Sequence, residues 1–424
     1  MQLARLVSRL VIVLMVSPII AAHADDNWPT FRGALRTGVS LETGLLGEWP
    51  AGGPRLSWTG QGAGRGYASL AIADGKIYTL GDGLSTASDD DEYLVCFDQQ
   101  NGRQLWKSKT GSAWTGGKPT WQSSRSTPTI DGDQVYVLTA FGDLICFSTS
   151  GGEIWRKNLK QDFAGKKADG WGYSESVLID GDQLVCTPGG PKDTMVALDK
   201  QTGKTRWSTS RSEDRGAGHA SIVMSTVGDT RVYVQTTGSG AMGVRAGDGK
   251  LLWTYDIKKT TAVIPTPIVQ GDLVFFTAGY GTGGTLVRQV PAGGGVQAQE
   301  IYPTTAALGN KHGGIVLVGD YLYGDSEDRG IPFCADLMTG EVKWKSRGAG
   351  KKSASVTSAD GKLYIRFSDG TMALAEATPD AYTELSSFKV PGSGERPSWA
   401  HPVVLGGKLY LREGDTILCY ELKD

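Results

Sequence analysis

Short runs in which apolar and polar residues alternate recur along the whole chain, bounded again and again by Asp-Gly or Thr-Gly pairs. Period-two alternation predicts half-buried strands, and the Gly of each pair supplies the positive φ of a tight hairpin, so the pattern predicts antiparallel meanders. One unit reads Ser126-Thr-Pro-Thr-Ile-Asp-Gly-Asp-Gln-Val-Tyr-Val-Leu-Thr, then Gly142-Asp-Leu-Ile-Cys-Phe, then Gly151-Gly-Glu-Ile-Trp155. The same order returns with Gly75, Ile77-Tyr78, Leu94 to Asp98 and Gly102 to Trp106, and with Gly181, Met195 to Asp199 and Thr202-Gly203 to Trp207. Gly228, Val232-Tyr233 and Gly249 to Trp253 make a further unit, Pro265-Thr-Pro267 with Gly271 another, and Gly319 to Tyr323 with Thr339-Gly340 to Trp344 another. Asp360 to Tyr364 and Gly406 to Tyr410 mark the last two.

Tryptophan keeps the period. Trp58, Trp106, Trp155, Trp207 and Trp253 follow one another at 48, 49, 52 and 46 residues, and Trp344 comes 91 later, two steps on. The fifth unit has lost its Trp in the Gly-rich stretch Gly293 to Gly295, and Phe388 is expected to fill the place in the seventh. Four-stranded sheets repeating at this period pack face to face around an axis as propeller blades. The fold class is therefore all-β, an eight-bladed β-propeller of four-stranded antiparallel blades. The eighth unit ends at Tyr420 to Asp424 without a fourth strand, while Arg55-Leu-Ser-Trp58 is a fourth strand with no blade before it. The N-terminal strand should complete the last blade and remove the open edge.

Composition agrees. Gly supplies 60 of 424 residues, about one in seven, which argues against a helical bundle, and 12 Trp with 39% hydrophobic residues suffice for a core. With 43 basic and 45 acidic residues the charge is balanced, so nucleic acid is not an expected partner. Arg5 and Arg9 precede an apolar run from Leu10 to Ala22, and Ala22-His23-Ala24 has the small-x-small form of a cleavage site. The expected organisation is a signal peptide over 1–24, cleaved after Ala24, an N-terminal extension over 25–53 packing on the propeller, and the propeller over 54–424. No other run is long enough to cross a membrane as a helix, and no Cys follows the cleavage site before Cys96, so the expected product is a periplasmic or secreted monomer without a lipid anchor.

The unit Ser-x-Pro, Asp-Gly, Val-Tyr, Leu-x-Cys/Ala-Leu/Phe-Asp, Thr-Gly, Trp resembles the PQQ-type, quinoprotein alcohol dehydrogenase-like propeller repeat over residues 54 to 424. The opening Trp28-Pro-Thr-Phe-Arg-Gly33 with Thr37-Gly-Val-Ser40 is similar to the start of secreted bacterial propellers described as PQQ-binding-like or polyvinyl-alcohol-dehydrogenase-like. So are Trp171 to Ser176, Ile264 to Pro267 and Ala278 to Gly283. The resemblance implies a fold and two kinds of activity, because this propeller serves PQQ- and calcium-dependent dehydrogenases as well as a non-catalytic scaffold of outer-membrane assembly. It also implies an axial site for PQQ and calcium. The vicinal cysteine pair and the Cys-x-x-Cys-His haem motif of such dehydrogenases are both missing from this sequence. Cys96, Cys146, Cys334 and Cys419 share one repeat position with Ala197, Ala373 and Gly243, a slot for a small buried residue, and free thiols are expected.

The Asp-Gly and Thr-Gly turns fall on one face of the ring and the longer, irregular connections on the other, where a site is expected at the axial mouth. Counting back from each second-strand Tyr places Tyr67, Arg125, Tyr173, His219, Ile264, His312, Ser353 and Trp399 where the inner strands begin. Tyr67, Arg125, Trp171, Tyr173, His219, His312, Arg329, Trp399 and His401 are the candidate ligand-binding residues, suited to a planar or anionic ligand. Glu175 and Asp328 are the candidate catalytic acids, and Glu175 the candidate calcium ligand; Asp325 and Glu327 lie beside Asp328. Asp89 to Glu92 reads as a solvated acidic tip, and the Trp114 to Trp121 loop as a ligand or partner surface. Two functional readings stand: an exported propeller that binds a small molecule or an envelope protein, and a PQQ- and calcium-dependent dehydrogenase oxidising an alcohol or sugar.

Overall fold

The computed structural model describes residues 27–83 and 90–423; the expected signal peptide lies outside the described residues. Eight four-stranded antiparallel sheets follow one another along the chain. The first blade comprises Ala71–Ala73, Lys76–Asp82, Asp91–Asp98 and Gln104–Ser112. Six further blades occupy 129–158, 178–209, 223–256, 268–305, 316–345 and 354–389. The eighth is built from Val403–Leu405, Lys408–Glu413 and Thr416–Glu421, with Leu56–Gln61 as its outer strand. The pairing Trp58 to Cys419 and Thr59 to Leu418 closes the ring with the N-terminal strand, as the unpaired fourth strand required.

Eight buried clusters lie between neighbouring blades, one for each junction, including that between the first blade and the eighth. Alternation explains them: successive side chains of a strand go to opposite faces of its sheet, so each blade feeds two clusters. The third-strand slot sits directly across from the fourth-strand Trp, as in Cys96 with Trp106, Cys146 with Trp155, and Cys334 with Trp344. A large indole over the strand leaves space for little more than a thiol or a methyl there. All five cysteines are buried and free.

Four of these Trp also lean on a Thr-Gly or equivalent turn of the next blade. Trp58 meets Gly102, Trp106 meets Gly151, Trp155 meets Gly203 and Trp207 meets Gly249. The fifth blade departs from expectation. Tyr302 takes the indole's place, its ring lying against Gly340 of the sixth blade, and the Gly-rich stretch is the tip of the long hairpin formed by Gly283–Ala292 and Gly295–Thr305. In the seventh blade Ser387 pairs with the slot residue Ala373, and Phe388 turns into the junction with the eighth, 5.5 Å from the Trp49 ring. Another correction concerns the acidic tip. Glu92 is buried, accepts from Thr110 Oγ1 at 2.8 Å and Ser124 Oγ at 2.5 Å, and is pushed up to about 7 by burial.

Around the axis the inner strands are laced by one repeated hydrogen bond. Ser69 N donates to Thr127 Oγ1, Thr127 N to Ser176 Oγ, Ser176 N to Ser221 Oγ, and Ser221 N to Thr266 Oγ1, each at 3.0 to 3.1 Å. The Ser/Thr at the head of successive units is thus the rivet between neighbouring blades. Inside this belt runs the segment from Trp28 to Ser40. Trp28 exchanges backbone hydrogen bonds with Ile72 of the first blade, and Ser40 N donates to Ser358 O of the seventh. Arg36 donates to the Ser176 and Val177 carbonyls, and Arg32 to the Gly313 and Ile315 carbonyls across the ring. Glu42 then accepts from the Gly406 and Gly407 amides in a turn of the eighth blade. The segment therefore fills the channel from the face that carries the tight turns.

The docking geometry makes one prediction. Gly203 has φ +68° and an added Cβ would stand 2.9 Å from the Trp155 ring, whereas Gly181 has φ +58° with nothing within 4 Å. Gly181→Ala should cost only the left-handed backbone penalty of about 1–2 kcal/mol. Gly203→Ala should cost roughly 1–3 kcal/mol more through overpacking, read as a larger fall in the urea midpoint.

Candidate functional site

Eight irregular connections lead from one blade's outer strand to the next blade's inner strand, and all end at the axis on the face opposite the tight turns. They surround a cavity of about 530 Å3, a volume suited to a small molecule. Its floor is supplied by the N-terminal segment: Phe31 packs edge-on against His401 at 4.8 Å. Tyr67, Arg125, Trp171, His219, His312, Asp328, Trp399 and His401, all singled out from the sequence, line it. Three other candidates do not. Tyr173 is buried in the core between the second and third blades, its hydroxyl donating to Pro188 O at 2.8 Å. Arg329 is exposed on its loop outside the cavity.

Glu175 faces away for a reason of local geometry. Ser174 and Ser176 line the cavity, and in an extended segment the residue between them points to the other side. There its carboxyl accepts from Thr187 N at 2.8 Å and Thr187 Oγ1 at 3.3 Å, and burial pushes it up to about 8. Asp325 is likewise structural, accepting from the Ile331 and Ala354 amides, and burial pushes it up to about 7.

The walls are flat. Trp399 stacks on His312 at 4.7 Å and 24° and lies 4.6 Å from the Tyr67 ring, while Trp121 and Trp171 meet edge-to-face at 6.4 Å. Cations stand over two of the tyrosine rings, those of Tyr67 and Tyr280. The Arg125 and Arg396 guanidiniums lie 5.9 and 5.2 Å from the Tyr67 ring centre. Arg396 donates to Tyr67 Oη at 3.0 Å and Gln122 O at 2.6 Å, and Arg125 to Trp171 O at 3.1 Å and to the Trp121 carbonyl. Among the described residues neither has a carboxylate partner, and burial lowers Arg125 to about 10, still charged at neutral pH. Lys311 pairs with Asp328 at 2.9 Å and sits 5.1 Å over the Tyr280 ring.

The three histidines are neutral. Burial, helped by Lys311, brings His312 down to about 3; burial with Arg32 does the same for His401, and both have a buried Nδ1 without a hydrogen-bond partner. Burial, with Lys167 adding to it, brings His219 to about 4 although Asp169 opposes this. His219 Nε2 is 2.8 Å from Asp169 Oδ2, and its Nδ1 is 2.5 Å from Ser174 Oγ.

Counting back from the second-strand Tyr does not reach Phe31, Trp121, Ser174, Tyr280, Lys311 or Lys352, which also line the cavity. Phe31, Trp121 and Tyr280 fall within motifs that the sequence marks, Trp28 to Gly33, Trp114 to Trp121 and Ala278 to Gly283. Lys352 carries no such signal.

Solved structures with this architecture include the quinohemoprotein alcohol dehydrogenase of Comamonas testosteroni, 12% identical with a TM-score of 0.61 over 95% of this chain and 81% of that one. A europium-containing methanol dehydrogenase gives 13% and 0.60, over 91% and 89%. BamB from Moraxella catarrhalis gives 14% and 0.56, over 86% and 98%. At such identities the likeness is one of fold. The outer membrane protein assembly factor BamB of Bordetella pertussis is 24% identical over 239 residues, 54% of this chain, and the chain spans about half (54%) the length of that curated relative. Residues 90–346 match the family model described as outer membrane protein assembly factor BamB, more than half of the chain, and the protein belongs to this family of PQQ-like β-propellers.

Proposed function

We propose that this protein is a periplasmic binding propeller whose axial cavity takes a planar anionic ligand, with the irregular loop face as its working surface. One observation carries the reading: Arg125 lines the cavity beside its flat aromatic walls and donates only to neutral oxygens among the described residues, and Arg396 stands 5.2 Å from the centre of the Tyr67 ring that forms one of those walls. A buried cation without a counter-charge gains most from an anion placed beside it, and a guanidinium can grip a carboxylate with two parallel bonds. A flat ring system would slide along Trp399 and His312. The exported location is supported by the leader-like sequence of residues 1–24 and by relatives named for outer-membrane assembly. The same relatives support an envelope protein as a partner of the loop face.

PQQ, a flat tricarboxylate, has the shape and charge that the cavity suits, and the residues that would hold it are Trp399, His312 and Arg125. Bound there, it would supply a quinone able to take up two electrons. Calcium fits less well. It seeks six to eight oxygen ligands, yet Asp169 is engaged by His219, Asp328 by Lys311, and Glu175 is turned away into its blade. Among the described residues no group of three or more His, Cys, Asp or Glu could hold a metal ion. Likeness of fold to alcohol dehydrogenases favours the second reading, a PQQ- and calcium-dependent oxidation of an alcohol or sugar, but no step is assigned to residues here.

Titration with PQQ in calcium-free buffer should quench tryptophan fluorescence saturably. Arg125→Ala should weaken binding about tenfold, the loss of roughly 1.4 kcal/mol expected for a charge-assisted contact. Absence of saturable quenching by the folded protein would sink the binding reading for this ligand. Dye-linked oxidation of alcohols after adding PQQ and calcium would favour the dehydrogenase instead.

Glu175 gives a second test. Its carboxyl titrates near 8 in the folded protein against an ordinary 4.5, so the folded state holds the extra proton and stability falls as pH rises from about 4.5 to 8. Glu175→Gln removes that dependence. Urea unfolding should show the variant gaining on the parent by a few kcal/mol, about 1.4 per pH unit at most, between pH 5 and pH 9. A calcium ligand would instead show a gap that depends on added calcium.

A further inference from the structure

We propose that Ser174, His219 and Asp169 form an acyl-transfer centre on the cavity wall, acting on small aryl esters, with Ser174 as nucleophile. The three side chains are joined in series. Asp169 Oδ2 is 2.8 Å from His219 Nε2, and His219 Nδ1 is 2.5 Å from Ser174 Oγ. An ionised Asp169 accepts the Nε2 proton, which leaves the Nδ1 lone pair to accept the Ser174 hydroxyl. The Asp169 carboxyl is held at about 2: burial would raise it, but the hydrogen bond and charge of His219, and Lys167, outweigh that. This is the order of roles of a serine hydrolase, with the imidazole turned end for end. The relay requires this tautomer, with the proton on Nε2, and the ionised Asp169 is the group that selects it.

Each member is held from behind. His219 N donates to Val263 O at 2.7 Å, Trp171 N donates to Asp169 Oδ1 at 3.1 Å, and Tyr173 and Glu175, on either side of Ser174, are anchored by Pro188 and Thr187. The His219 and Asp169 side chains are only 7% and 4% exposed, and Ser174 and His219 both line the cavity. A triad serving only to fill a core would bury its serine; here Ser174 is only half-buried and borders the cavity. Rigid support of this kind is what a nucleophile needs to meet a bound carbonyl in line.

In the first step Ser174 Oγ bonds to the ester carbonyl carbon, its proton passes to His219 Nδ1, and the carbonyl π pair moves to oxygen. Collapse of that adduct re-forms the carbonyl and expels the aryl oxide, which takes the proton from Nδ1. Water then attacks the acyl-serine, giving its proton to Nδ1. The second collapse releases the carboxylic acid and returns the proton to Ser174. Lys167 and Arg125 are the two cations that act on the His219 imidazole, and Arg125 also lines the cavity, where its charge favours an adduct that carries an oxyanion. The same charges and burial make His219 a weak base, which selects esters whose leaving group departs with little protonation. Trp121 and Trp171 offer that aryl group a flat wall. The inference shares the cavity with the binding reading and does not rest on it: failure of PQQ to bind leaves it standing.

The mature full-length protein would be treated with a fluorophosphonate probe and digested for mass spectrometry, and hydrolysis of p-nitrophenyl acetate followed in parallel. Phosphonylation at Ser174 is expected. Ser174→Ala and His219→Gln should lower hydrolysis roughly 100- to 10,000-fold. Asp169 is a positioning residue; Asp169→Asn should lower the rate and also move the acid limb of the pH–rate profile, which a loss of packing alone would not do. The labelling needs no variant, so it decides the case even if a substitution fails to fold. An unmodified Ser174 in folded protein, or hydrolysis equal in the parent and a folded Ser174→Ala, overturns the proposal.

Discussion

The hydrogen bond from a backbone amide at the head of one inner strand to the Ser or Thr hydroxyl at the head of the next is the contact on which the centre of this molecule depends. It runs from Ser69 through Thr127, Ser176 and Ser221 to Thr266. Apolar packing between blades is non-directional and would tolerate sliding of one sheet along another. A hydroxyl accepting at about 3 Å fixes the height and separation of neighbouring inner strands. Tyr67, Arg125, Ser174, His219 and Ile264 each stand two residues before a belt position, so the belt also fixes that side of the cavity wall.

Electrostatics on the axis follows from that arrangement. Inner strands bring many carbonyls to one place, and buried arginines rather than carboxylates answer them. Arg32 donates to the Thr37, Gly313 and Ile315 carbonyls, and Arg412 to those of Ala63, Gly64, Ala68 and Leu80. Burial, and after it the charge of Arg32, keeps His401 neutral. The cavity is thus lined by cations and neutral imidazoles.

Much of this was legible in the sequence because the repeat carries it. The turn Gly, the second-strand Tyr, the small slot and the docking Trp recur at fixed offsets, so blade number, strand order and ring closure could be counted before any coordinates. The same counting reached Tyr67, Arg125, His219, His312 and Trp399. It failed where the pattern is broken by a local event. Tyr302 was hidden by a long hairpin that displaces it from the expected spacing. Glu175 was misdirected because an offset locates a residue along a strand but says nothing of which side it takes, and a shift of one position exchanges Ser174 for Glu175. Glu92 looked solvated among its acidic neighbours, yet two hydroxyl donors satisfy it inside the protein. Phe31 and Arg32 belong to no blade, so no periodicity could assign them to the axis.

Those two residues also bear on when the site comes into being. Arg32 reaches the Gly313 and Ile315 carbonyls, more than 280 positions away along the chain (281 and 283), and Glu42 reaches the Gly406 and Gly407 amides, 364 and 365 away. Contacts of such separation carry a large loop-closure cost and form only after the nearer pairings have reduced it. Trp28 and Arg36 meet the first and third blades, but Arg32 and Glu42 can make their contacts only once the sixth and eighth blades are in place. Phe31 is the floor of the cavity and Arg32 holds the strand that begins beside His312, so the cavity is complete only once the ring has closed around its own N-terminal segment. Local blade formation can therefore proceed without assembling the cavity, which is a property of the closed ring as a whole.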